Sequence, residues 1–273
     1  MTIEPEPSRS DDDAPEKGRA RALLRAVVAQ ARDDRERGQP SLRRGIFLLP
    51  NLITTGALFS GFYAIVAAMN DQFVVAAIAT YAAMILDTAD GRVARLTRTQ
   101  SAFGAEYDSL SDMVAFGVAP ALVAFSFALS ALNELGWFVT FVYMACAALR
   151  LARYNTSGDV ASFTGLASPA AACIVVSLVW VLDKLATPPD VAAALLASAT
   201  ALAAMLMVSH FRYFSPKVLT FRGRVPFVTL VAVVLLFALV SINPPAVLLV
   251  LFFGYALSGP LQALWRRVRK RAA

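Results

Sequence analysis

Four aspartates, Asp87, Asp90, Asp108 and Asp112, stand in a chain that is 58% hydrophobic. Carboxylates inside apolar, membrane-spanning sequence are costly and mark functional sites by default. Asp87 and Asp90 are three apart, and Asp108 and Asp112 four apart. Either spacing puts both side chains of a pair on one face of a helix. The link between the two pairs is short, so their helices are expected to be antiparallel neighbours with the pairs facing each other. Four carboxylates so close cannot all remain ionised without compensation by protons or cations. No His or Cys lies among them, and all-oxygen ligands suit Mg²⁺, Mn²⁺ or Ca²⁺. Two such cations about 4 Å apart form the clamp used for displacement at phosphorus. Gly91, Ala94 and Gly104 lack bulk and would let a ligand approach the backbone. Arg95, one turn beyond Gly91, is placed to pair with phosphate oxygens. The acids alone would also fit a proton relay or a solvated loop in a transporter.

The elements that must position these residues are membrane helices. The chain has 273 residues, of which only 16% are charged, against about 25% in soluble domains. Its mean hydropathy is +0.61. The formal charge of +6 comes from basic residues at segment ends, not from a groove, which argues against nucleic acid. Cys146 and Cys173 lie within apolar segments and read as inert buried thiols. Residues 1–16 are acidic and polar, with no apolar signal-peptide core, and read as a disordered tail. Residues 17–44 form a basic juxtamembrane segment. Within it Leu23, Leu24, Val27 and Val28 recur at helical spacing among arginines. That pattern fits an amphipathic helix on an anionic membrane surface, and equally a short solvated helix.

Eight apolar segments follow, at 46–69, 73–96, 107–131, 135–155, 168–186, 190–209, 226–242 and 245–265. Each is near the length needed to span a bilayer. The links after the first, third, fifth and seventh carry no Lys or Arg: Asn70-Asp71, Asn133-Glu134, Thr187-Pro188-Pro189 and Asn243-Pro244-Pro245. The alternate links carry Arg92, Arg95 and Arg98, then Arg150 and Arg153, then Arg212, Lys217, Arg222 and Arg224. The positive-inside rule then puts both termini and the basic links in the cytoplasm. Every one of the 25 Lys and Arg except Lys184 falls on that side. The acid cluster is thereby expected at the cytoplasmic face. Trp137, Trp180 and Trp265 fall near expected interfaces.

The run Asp87-x2-Asp90-Gly91-x2-Ala94-Arg95-x8-Gly104-x3-Asp108-x3-Asp112 resembles the full signature of the CDP-alcohol phosphotransferases, with all eight positions filled. The resemblance implies transfer of a phosphatidyl-type group from a CDP-linked lipid to an alcohol, with release of CMP. It implies a six-helix catalytic core, here residues 45–220, with residues 221–273 adding two helices and a basic tail. It also implies a homodimer in the lipid bilayer of a bacterial inner membrane. Further stretches resemble the phosphatidylserine synthase branch of that family. These are Leu48–Thr54, Asp108–Pro120, Leu149–Asn155, Phe163–Pro169 and Ser209–Tyr213. They point to CDP-diacylglycerol and L-serine as substrates.

On that resemblance Asp87, Asp90 and Asp108 are expected to bind two divalent cations, Mg²⁺ or Mn²⁺ with Ca²⁺ as a further candidate, and Asp112 to touch the cluster too. Asp112 is also expected to take the proton of the attacking hydroxyl. Gly91, Ala94, Arg95 and Gly104 form the CDP-lipid side. Asn51 and Thr54, polar at the inner end of the first span, are candidates to contact the nucleotide or a metal ligand, or else to cap the helix. Arg150, Arg153 and Asn155 are candidates for the serine carboxylate, against the alternative that the arginines are ordinary interface anchors. His210, the single histidine, lies away from the signature. The acceptor alternatives are glycerol 3-phosphate, inositol phosphate and choline; an ion-coupled transporter is the alternative of another class.

Overall fold

The computed structural model describes residues 41–97, 99–156, 164–211, 213 and 227–272. The expected disordered tail and amphipathic helix lie outside these, as do Arg98, Phe163, Arg212, Lys217, Arg222 and Arg224. The chain divides into two compact units, Met1–Leu48 and Leu49–Ala273, and the site lies in the second. The described elements are all helical: α1 (Ser41–Met69), α2 (Phe73–Thr97), α3 (Ala102–Asp112), a π-helical turn (Met113–Val118), α4 (Ala119–Phe127), a 3₁₀ turn (Leu129–Leu132), α5 (Glu134–Thr156), α6 (Ser168–Lys184), α7 (Pro189–Val208), α8 (Phe227–Ile242) and α9 (Pro244–Ala272). The protein is an all-α polytopic membrane protein.

Each of the eight apolar segments contains helix, but they are not alike. Among the described residues, six helical stretches are long and apolar enough to cross a bilayer: Leu48–Met69, Phe73–Thr97, Ala102–Phe127, Glu134–Thr156, Pro189–Val208 and Pro244–Trp265. The other two helices are shorter, α6 with 17 residues and α8 with 16. At 1.5 Å per residue, α6 is about 25 Å long, short of a hydrocarbon core of about 30 Å. It is the central helix of the fold. Residues from Ala170 to Val176 are buried without a break, with Ser177, Val179 and Leu182, and it packs against α2, α4, α7 and α9. Its uniform hydrophobicity therefore reports burial in protein, since a helix apolar all round can be either core or lipid-facing.

Small residues let the helices approach closely, as expected where lipid is as apolar as the protein interior. Ala64, Ala76, Ala77, Ala83, Ala115, Ala119, Ala121 and Ala147 are buried. A Cβ added at Gly61 would lie 2.6 Å from the Ala115 backbone, so α1 meets the π turn through glycine. Links expected to be tight are tight. Asp71, Asn133 and Ala186 adopt positive φ of 57°, 49° and 46°, and Asn70 N–H donates to the Ala67 carbonyl at 3.1 Å. The Asn70–Asp71 turn folds α1 against α2, so that Thr54, midway along one, touches Asp90 in the second half of the other.

A candidate metal and phosphate site

Asp87 and Asp90 sit in the second half of α2; Asp108 and Asp112 are in α3. The third span was expected to begin at residue 107, but helix already begins at Ala102. Ser101 caps it, its Oγ accepting from Gly104 N–H at 3.0 Å as N-cap serines do. Asp108 is therefore in the second turn of a formed helix and directed by it. Each of Asp87, Asp90 and Asp108 offers a carboxylate oxygen, and these oxygens lie within 4.8 Å of one another. At an effective dielectric near 20, two unit charges at that distance repel by about 3 kcal/mol. The donor set, carboxylate oxygens without His or Cys, fits a hard divalent cation. Asp90 is buried and accepts a hydrogen bond from Thr54 Oγ1 at 2.6 Å, which fixes its orientation from behind. Thr54 is itself held, its carbonyl accepting from Ser111 Oγ at 3.2 Å.

Asp112 is not one of the group of three. Its electrostatic neighbours are Asp87 and Asp108 on one side and Arg150 on the other. The expectation that it touches the cluster thus describes a residue at the cluster's edge. Immediately after it the helix widens into the π turn Met113–Val118. Such bulges interrupt α-helices frequently at functional sites. Tyr143 Oη donates to the Phe116 carbonyl at 3.2 Å, tying α5 to the turn.

A cavity of about 280 Å³ opens beside the acids. Asp90 and Asp108 line it, and so do all six residues expected on the CDP-lipid side: Asn51, Thr54, Gly91, Ala94, Arg95 and Gly104. A Cβ at Gly91 would meet only the tip of Arg95, at 3.5 Å, so the space over Gly91 belongs to the cavity. A Cβ at Gly104 would stand 3.1 Å from Ser101 Oγ and 3.3 Å from Asn51 Oδ1, narrowing it. The sequence reading missed Thr99, Gln100 and Ser101, which close the cavity's end. Their signal was the shortness of the α2–α3 link, which obliges its residues to border whatever the helices enclose.

The three residues expected at serine are dispersed and bonded within the protein. Arg150 Nη1 donates to Ser168 Oγ at the start of α6 and has Asp112 as a neighbour. Arg153 donates to three main-chain carbonyls, Thr164 at 2.7 Å, Val208 at 3.2 Å and Met207 at 3.4 Å. Asn155 Nδ2 donates to Ser109 Oγ at 3.0 Å, linking α5 to the residue after Asp108. His210 is exposed at the end of α7. Lys184 donates to Asn243 Oδ1 at 3.3 Å, and Arg269 stacks over Trp265, 4.0 Å from the ring centre. Cys146 and Cys173 are free thiols.

Acids that meet between membrane helices beside a cavity fit a divalent-cation site in an integral membrane protein. Residues 47–211 match the model of the CDP-alcohol phosphatidyltransferase family. A relative from Helicobacter pylori named CDP-diacylglycerol–serine O-phosphatidyltransferase is 37% identical over 82% of this chain and 94% of its own. One of the same name from Mycobacterium bovis is 34% identical over 70% of this chain and 82% of its own. A third, from Methanocaldococcus jannaschii, is 34% identical over 64% and 78%. The chain belongs to the CDP-alcohol phosphatidyltransferase family, a family of transferases rather than of transporters.

Proposed function

We propose that the protein is a CDP-diacylglycerol–serine O-phosphatidyltransferase, making phosphatidylserine and CMP at the cytoplasmic side of a bacterial inner membrane. The observation that carries this reading is the meeting of Asp87, Asp90 and Asp108 within 4.8 Å beside a cavity lined by the remaining small and polar signature residues. The acceptor comes from the three relatives' shared name and from the stretches outside the signature.

In this reading Asp87, Asp90 and Asp108 hold two divalent cations, Mg²⁺ or Mn²⁺, with Asp112 at their edge. When bound, the cations supply the positive charge that a diphosphate and a departing nucleotide phosphate require. Gly91, Ala94 and Gly104 give the CDP moiety room, and Arg95, Asn51 and Thr54 bound it. The diacylglycerol tails extend into lipid. Arg150, next to Asp112, receives the serine carboxylate. Asp112 takes the proton from the serine hydroxyl as that oxygen bonds to the lipid-linked phosphorus. The bond from phosphorus to the CMP oxygen breaks, and CMP keeps the electron pair. The enzyme acts as a homodimer with both termini in the cytoplasm, on a core of residues 45–220.

The test is purified protein in lipid-containing micelles with CDP-diacylglycerol and Mg²⁺ or Mn²⁺. Labelled serine is compared with glycerol 3-phosphate, inositol phosphate and choline. Serine-dependent CMP release with labelled phosphatidylserine is expected. Preference for another alcohol would replace the acceptor, and no CMP release with any alcohol would remove the activity.

A further inference from the structure

The C-terminal end of α7 is closed by groups from outside the helix. The last four carbonyls of a helix lack intrahelical partners, and buried ones require partners from elsewhere. In α7 those carbonyls belong to Met205, Leu206, Met207 and Val208. Ser209 N–H donates to Met205 at 3.0 Å, and Leu166 N–H donates to Leu206 at 2.9 Å. Met207 and Val208 both accept from Arg153, a cation at the helix end where the macrodipole favours one.

The same guanidinium holds the Thr164 carbonyl. Arg153 thus grips two separate stretches at once, the end of α7 and the segment leading into α6. Gly165 N–H adds a bond to the Phe211 carbonyl at 2.9 Å. Gly165 itself has φ +85°, and a Cβ there would lie 2.2 Å from the Met207 carbonyl oxygen and 2.8 Å from Arg153 Nη2. Only glycine lets the segment come this close. Three residues further on, buried Ser168 starts α6 and accepts from Arg150.

We propose that Arg153 is a positioning residue for the acceptor side of the site: it locks the Thr164–Ser168 segment onto the end of α7, and Ser168 in turn holds the Arg150 guanidinium beside Asp112. The inference rests on the proposed function only in taking Arg150 as the group that meets the acceptor. Arg153 acts through Ser168 and Arg150 and does not touch the alcohol. A guanidinium suits this task because its two terminal nitrogens reach carbonyls on both stretches, which a single ammonium cannot reproduce.

The experiment is a double-mutant cycle on the full-length enzyme, read as separate KM values for CDP-diacylglycerol and for the alcohol that the unmodified enzyme uses. Arg153→Ala is expected to raise the acceptor KM about tenfold with little change for CDP-diacylglycerol. Arg153→Lys is expected not to restore it. Ser168→Ala, a near-isosteric change, is expected to raise the acceptor KM in the same direction, and Arg153→Ala with Ser168→Ala to be no worse than Arg153→Ala alone. Rescue by lysine, multiplication of the two effects, or an equal rise in both KM values overturns the proposal. If Arg153→Ala fails to accumulate in membranes, Ser168→Ala decides alone: an unchanged acceptor KM overturns it. Absence of CMP release by the unmodified enzyme with any alcohol would instead strike the proposed function, and is seen before any variant is made.

Discussion

The two halves of the site are built on opposite plans. On the α1–α3 side, the acids converge on one another and on a cavity, and Thr54 supports Asp90 from behind. On the α5–α7 side, the cationic and amide groups are engaged with the protein itself. Arg150 bonds to Ser168, Arg153 to three carbonyls and Asn155 to Ser109. In the proposed reading the difference follows from what each side binds. Carboxylates gathered within 4.8 Å repel one another, a repulsion that bound cations would relieve. An arginine inside a membrane protein must have its five donors satisfied whether or not substrate is present. It is therefore tied in place.

Variants should separate the halves. The largest loss is expected from Asp90→Ala or Asp87→Ala, or from chelation of the divalent cation. Turnover should fall by at least about a thousandfold, with loss of metal-dependent nucleotide binding by calorimetry. Unchanged metal titration would remove the residue as a ligand. Next is Asp112→Asn, which should cut turnover by about 10²–10⁴ if it serves as base while CDP-diacylglycerol still binds. Near-normal turnover would reassign it and blur the boundary between the halves.

Thr54→Val removes the hydroxyl that holds Asp90. A hydrogen bond to a charged group is worth about 1.5–3 kcal/mol, so a loss of roughly tenfold or more is expected, appearing as a higher metal requirement. A higher acceptor KM with an unchanged metal requirement would place Thr54 in the other half. The smallest effect is expected from Asn155→Ala, which breaks one exposed bond to Ser109 worth about 1 kcal/mol. Its acceptor KM should rise less than tenfold. A larger rise would indicate that Asn155 contacts the alcohol directly.

Much of the donor half was legible in the sequence because it lies on two consecutive helices joined by a short link. Spacings of three and four fix a face, and a tight connection fixes which helix that face meets. Asn51 and Thr54 were reachable for the same reason, since Asn70–Gln72 fold α1 back on α2. The acceptor half was less legible. Arg150, Arg153 and Asn155 share one helix, but their partners come from three other stretches: Thr164 and Ser168, Met207 and Val208, and Ser109. No periodicity announces such meetings. The role of α6 was hidden for a related reason: continuous apolar sequence looks the same whether lipid or protein surrounds it.

The sequence by itself determined that this is an all-helical membrane protein, and that two acid pairs must face each other on neighbouring helices. It also determined that the pairs are flanked by residues too small to block a ligand. Tertiary structure decided which three of the four acids come within 4.8 Å, and that Asp112 stands between them and Arg150. It decided too that Arg153 closes the end of α7. The physical reason is that helical periodicity assigns each side chain to a face of its own element. The neighbour met by that face, and the carbonyls within reach, depend on how distant helices pack.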